Sequence, residues 1–135
     1  MAKYLLTGAG FSRNWGGWLA SEAFEYLIGV SGLTPRIRAT LWKHKEAGTG
    51  FEGAYQELRS VAESSSERDD DFKFFSNMIS GMFTSMQQSF PRDPFSELTL
   101  RFLAQFDAIF TLNQDTLLEL KYCNSLPREI FPFQG

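Results

Sequence analysis

Cysteine and histidine are almost missing from this chain: its 135 residues hold one of each, Cys123 and His44. A lone cysteine closes no internal disulfide, and with a single histidine it cannot complete a four-ligand zinc site. An excess of positive charge is missing too. Lys+Arg 13 against Asp+Glu 16 leaves a net charge of −3, which argues against a protein that grips nucleic acid by displacing phosphate counterions. No apolar run approaches the roughly 20 residues needed to span a membrane. The opening Met1-Ala2-Lys3-Tyr4-Leu5-Leu6 meets Gly8 too early to read as a signal peptide. These absences predict a cytoplasmic domain in reducing surroundings, with neither membrane nor nucleic acid as partner.

What is present is apolar and aromatic. Hydrophobic residues make up 43% of the chain and aromatic residues 16%, enough to bury one core, so residues 1–135 are expected to form a single domain. Two short apolar runs read as strands, about residues 3–7 and 108–112. Each leads into a polar turn and then a helix-favouring segment. The stretch between them is predominantly helical. Gly17 to Ile28 places Trp18, Leu19, Phe24, Leu27 and Ile28 near helical spacing. Thr34 before Pro35 reads as an N-cap with proline at the first helical position. Phe51, Tyr55, Leu58 and Val61 or Ala62 mark a third helix at successive turns. Phe72, Phe75, Met78, Ile79, Met82, Phe83 and Met86 form an apolar stripe that reads as core. The run from Ser64 to Asp71 is expected to be a loop whose last carboxylates suit the positive end of that helix. Asp93 before Pro94 is expected to open a further helix carrying Phe95, Leu98, Phe102, Leu103 and Phe106. The predicted class is therefore α/β: a partial Rossmann-like parallel sheet with a large, mostly helical insertion.

Chemistry concentrates at the two strand ends. Gly8-Ala9-Gly10-Phe11-Ser12 follows the first strand, where glycines let backbone N–H groups approach a phosphate. The same loop serves equally as a tight strand-to-helix turn with no ligand. It is neither the dinucleotide fingerprint, because Arg13 stands where the third glycine belongs, nor a Walker loop, because no Gly-Lys-Ser/Thr follows. Asn113-Gln114-Asp115 follows the second strand, where Asp115 can instead cap the next helix and Asn113 can satisfy turn backbone. If the two strands are parallel neighbours, their carboxyl ends share one edge, which is where open α/β sheets bind ligands.

The segments Leu5 to Gly16 and Ile109 to Asp115 resemble the sirtuin family, specifically the divergent sirtuin-like domains of bacterial anti-phage defence proteins. The first resembles that family's Gly-Ala-Gly-x-Ser loop around the NAD phosphates and ribose, the second its Thr-Gln-Asn-x-Asp segment at the nicotinamide end. The resemblance implies that Gly8, Ala9, Gly10 and Ser12 hold NAD, that Asn113 acts at the nicotinamide ribose and is the catalytic residue, and that Asp115 binds the carboxamide. It implies hydrolysis of NAD to nicotinamide and ADP-ribose, with no metal. The family's catalytic histidine motif, its Pro-Asp-Phe-Arg run and its zinc cysteines have no counterpart here, and Leu112 replaces a glutamine; protein deacylation is not expected.

His44 falls late in the second long helix and reads as a solvated histidine near a helix C-terminus. Arg36, Arg38, Lys43 and Lys45 read as the solvated face of the same helix rather than a nucleic-acid patch. Because only two strands are legible, the sequence predicts a domain incomplete at its C-terminus, with Phe131 and Phe133 exposed where further strands would pack. Self-association or a defence-system partner protein would follow from that. The competing expectation is a noncatalytic helical interaction module in which the glycine loop is only a turn.

Overall fold

The computed structural model describes residues 1–64 and 69–122. Cys123, Phe131 and Phe133 lie outside the described residues. The described residues divide into two compact units, one built from residues 1–17 together with 86–122, the other lying within residues 18–85.

The first unit contains both strands. β1 (Tyr4–Thr7) and β2 (Ala108–Thr111) pair in parallel, Tyr4 opposite Ala108 and Thr7 opposite Thr111. The ladder is extended at both ends: Asp107 N donates to Lys3 O at 2.8 Å, and Leu112 N donates to Thr7 O at 3.0 Å. Alternation along the strands follows from the pleat. Leu5 and Ile109 pack on a core of Leu103, Leu118 and Tyr122. Tyr4, Leu6 and Phe110, on the other face, and Leu112 just beyond it are exposed. Two strands alone are marginal in water. Their support comes from α6 (Glu97–Leu103) and a π-helical turn at Leu118–Tyr122, which supply that core.

A five-residue helix, α1 (Ala9–Arg13), lies inside the glycine loop itself. Glycine disfavours helix, so tertiary packing must hold it: Phe11 packs tilted against Trp15 at 4.9 Å between ring centres, and Trp15 meets Phe95 edge-on at 5.0 Å. The α6 helix starts later than Pro94 suggests. Ser96 is its N-cap, accepting from Thr99 N at 3.2 Å, and this side-chain cap fixes the start at Glu97 while Phe95 packs in the aromatic cluster instead.

The second unit is helical. It comprises α2 (Ala20–Gly29), α3 (Pro35–Glu46), α4 (Gly50–Ser64) and the greater part of α5 (Asp70–Ser89). Its core is Ala23, Phe24 and Leu27 from α2, Ile37 and Leu41 from α3, Phe51, Ala54 and Leu58 from α4, and Phe75, Met78 and Met82 from α5. The Met and Phe stripe is core, as its spacing predicts. Each fully buried Leu, Ile, Phe or Met side chain contributes about 1.5–3 kcal/mol over leaving it in water. Caps set the helix starts: Thr34 Oγ1 accepts from Ile37 N, and Asp69 Oδ1 accepts from Phe72 N. The α2 helix begins at Ala20 rather than Gly17, where Glu22 reaches back to accept from Leu19 N at 2.8 Å.

The class is mixed α/β, mostly helical, with a small two-stranded parallel sheet. Among the described residues no helix is long and apolar enough to cross a membrane.

Candidate functional site

Parallel pairing with Thr7 opposite Thr111 places both strands' carboxyl ends on one edge. The glycine loop and the Asn113-Gln114-Asp115 turn therefore leave the sheet together. Asn113 Nδ2 donates to Ser12 Oγ at 2.7 Å, closing a contact between residues 101 positions apart. Around it the turn is braced by Asn113 N donating to Thr111 Oγ1 at 3.0 Å and by Thr7 Oγ1 donating to Phe110 O at 3.3 Å.

The residues singled out in the sequence take different positions there. Ser12 is buried, with 1% of its surface exposed, and its side chain faces Asn113. As the structure stands it is a link between the two motifs, because a fully covered hydroxyl offers nothing to a ligand. Asn113 is half-buried; with its Nδ2 committed to Ser12, its Oδ1 remains the acceptor available for a water or a hydroxyl. Asp115 is half-buried and caps the following turn, Oδ1 accepting from Leu117 N at 3.0 Å. The capping role and a second role through Oδ2 are compatible, since a carboxylate has acceptor capacity on both oxygens. Ala9 and Gly10 are exposed and Gly8 is half-buried.

The glycines separate by what surrounds them. A Cβ built on Gly8 or Gly10 would meet nothing within 4 Å. Gly8 is extended, at φ −136° and ψ −174°, a conformation open to any residue. Among the described residues no packing contact requires glycine at either position, and both leave the backbone open to an approaching molecule. Gly16 and Gly17 are different, and the sequence reading passed over them. Gly16 has φ +97° and lies beside Ser89, whose Oγ donates to Gly16 O at 3.2 Å. Gly17 N donates to Ser12 O at 2.9 Å, and a Cβ on Gly17 would stand 2.6 Å from Ser12 Cβ. The Gly16-Gly17 pair just after the loop was the available signal for a close backbone approach.

The helical unit carries its own polar cluster. His44, in the last turn of α3, is not solvated: its side chain is 16% exposed, with Nε2 2.8 Å from Glu57 Oε2 and Nδ1 2.7 Å from Thr49 Oγ1. Gly53 on α4 makes room for the ring, since a Cβ there would lie 2.5 Å from His44 Nδ1. Lys43 Nζ donates to the same Glu57 oxygen at 2.6 Å. The hydrogen bonds from Lys43 and from His44 hold the Glu57 carboxyl below its ordinary value. Both ring nitrogens of His44 are thus engaged between α3 and α4. The basic residues of α3 are likewise more than a solvated face. Arg36 pairs with Asp69 at 2.9 Å, and Lys45 Nζ sits 4.3 Å from the Phe24 ring centre and 4.6 Å from that of Trp42. Among the described residues, no group of His, Cys, Asp and Glu is placed to hold a metal ion.

No protein-family model matches the chain, and no curated protein or solved structure matches it.

Proposed function

We propose that the chain binds NAD at the shared carboxyl edge of β1 and β2, as a sirtuin-like domain of the kind found in bacterial anti-phage defence. In this reading the two-stranded sheet is the core of a Rossmann-like parallel arrangement and the protein works in the cytoplasm. The observation that carries the reading is the Asn113–Ser12 hydrogen bond, which joins the two segments that resemble the family. The open backbone at Gly8 and Gly10 adds the second support, because among the described residues no packing contact requires glycine at those positions.

The chain's own residues fit the task. Gly8, Ala9 and Gly10 give phosphate and ribose oxygens close access to backbone N–H groups; α1 is too short for its dipole to matter, so the attraction is hydrogen bonding. Asn113 Oδ1 orients a water or a ribose hydroxyl without any pKa demand, and Asp115 accepts from a carboxamide N–H. NAD supplies a glycosidic bond whose cleavage develops positive character on the ribose. Turnover to nicotinamide and ADP-ribose is expected only when a base is supplied from outside the described residues, because both nitrogens of His44 are occupied at Thr49 and Glu57. Protein deacylation is not part of the proposal.

Thermal unfolding with increasing NAD tests the reading: a bound ligand raises Tm with concentration. A Tm that does not move up to millimolar NAD contradicts it. A noncatalytic interaction module is the second reading, supported by the exposed apolar side chains Tyr4, Leu6, Phe110 and Leu112. It predicts no response to any nucleotide and a higher Tm only with a protein partner, either a second copy or a defence-system component.

A further inference from the structure

We infer that Ser12 is a positioning residue: it acts on a ligand through the amide of Asn113 and makes no ligand contact of its own. The inference rests on the proposed NAD site but concerns a feature the ligand-free protein already has. Ser12 stands where the glycine-loop motif would put a cofactor contact, yet it is 1% exposed and its Oγ accepts from Asn113 Nδ2 at 2.7 Å. Its main-chain carbonyl is just as fully used, accepting from Trp15 N at 2.9 Å and from Gly17 N at 2.9 Å. Gly17 closes over it so tightly that a Cβ there would lie 2.8 Å from the Ser12 carbonyl carbon. A buried serine held at its hydroxyl by Asn113 and at its main chain by Trp15 and Gly17 does not reach a ribose without the Gly17 turn opening. What it can do is hold the Asn113 side chain in one rotamer at the loop. With Nδ2 on Ser12 the amide turns Oδ1 outward; without that tie the side chain is free to turn and the acceptor is no longer preorganised.

The test is a double-mutant cycle on NAD affinity by calorimetry, using the full chain as wild type, Ser12→Ala, Asn113→Ala and the double variant. Circular dichroism checks that each is folded. Loss of one well-aligned hydrogen bond should weaken binding by about tenfold in Ser12→Ala. In the Asn113→Ala background the same serine change should then have no further effect. An equal loss in both backgrounds means that Ser12 touches the ligand directly and overturns the inference, as does an unchanged affinity in Ser12→Ala alone. A second readout keeps the inference separate from the NAD reading. In the ligand-free protein the Asn113 side-chain amide resonances should be shifted and protected from solvent exchange, and both properties should vanish in Ser12→Ala. If they are the same in the two proteins, the positioning role is wrong whatever NAD does. If wild type shows this signature and yet gives no heat with NAD, the positioning stands and the ligand assignment falls.

Discussion

Gly17 lies directly against Ser12: a Cβ added to Gly17 would stand 2.6 Å from Ser12 Cβ and 2.9 Å from Ser12 O. Two of the obstructing atoms belong to the main chain, so the neighbour cannot yield by changing rotamer. Gly17→Ala is therefore expected to destabilise the fold by about 1–3 kcal/mol, the usual range for forcing an extra group into packed surroundings. Urea unfolding measures it. A midpoint equal to that of wild type would show that the turn relaxes freely and does not clamp Ser12.

The glycines in the loop itself should behave in the opposite way. Around Gly8 and Gly10 a Cβ meets nothing within 4 Å, and Gly10 lies inside α1, where alanine is favoured over glycine by up to about 1 kcal/mol. Gly8→Ala and Gly10→Ala are expected to unfold at or slightly above the wild-type temperature while binding NAD at least about tenfold more weakly, the size of a lost close hydrogen-bonded contact. Stable variants with undiminished affinity would mean that the loop is only a turn.

The helical unit gives a pH prediction. Glu57 accepts from Lys43 Nζ and His44 Nε2, and those bonds hold its carboxyl below the ordinary value in the folded protein. Folding thus favours its ionised form. Its stabilising contribution is present above the unfolded carboxylate pKa of about 4.3 and is lost as pH falls through the lower folded value. The group is partly solvated, so the whole effect should stay within about 1 kcal/mol. Glu57→Gln should flatten the acid limb of stability against pH, followed by urea midpoints between neutral pH and pH 3. A limb as steep as that of wild type would place the sensitivity elsewhere.

These contrasts also mark how much of the molecule could be read in its residue order. Strands were legible because Tyr4–Thr7 and Ala108–Thr111 are short apolar runs bounded by polar turns, and α3 because Thr34-Pro35 is a cap followed by a fixed φ. The long stripe from Phe72 to Met86 declared its own helix. Less visible were features decided by contacts across sequence distance. The α1 helix forms despite its glycine because Phe11 and Trp15 are anchored to Phe95, 84 and 80 residues away by number. His44 looked solvated because its partner Glu57 lies on the next helix. That Ser12 and Asn113 belong to one edge followed from parallel pairing, but that the serine faces inward, sealed by Gly17, depends on a backbone approach which pattern does not encode.

A calorimetric titration of NAD into the wild-type chain and into Asn113→Ala addresses the central claim most directly. Saturable heat with wild type, weakened by about tenfold or more without the Asn113 amide, is the predicted result. No saturable heat with either protein would contradict it.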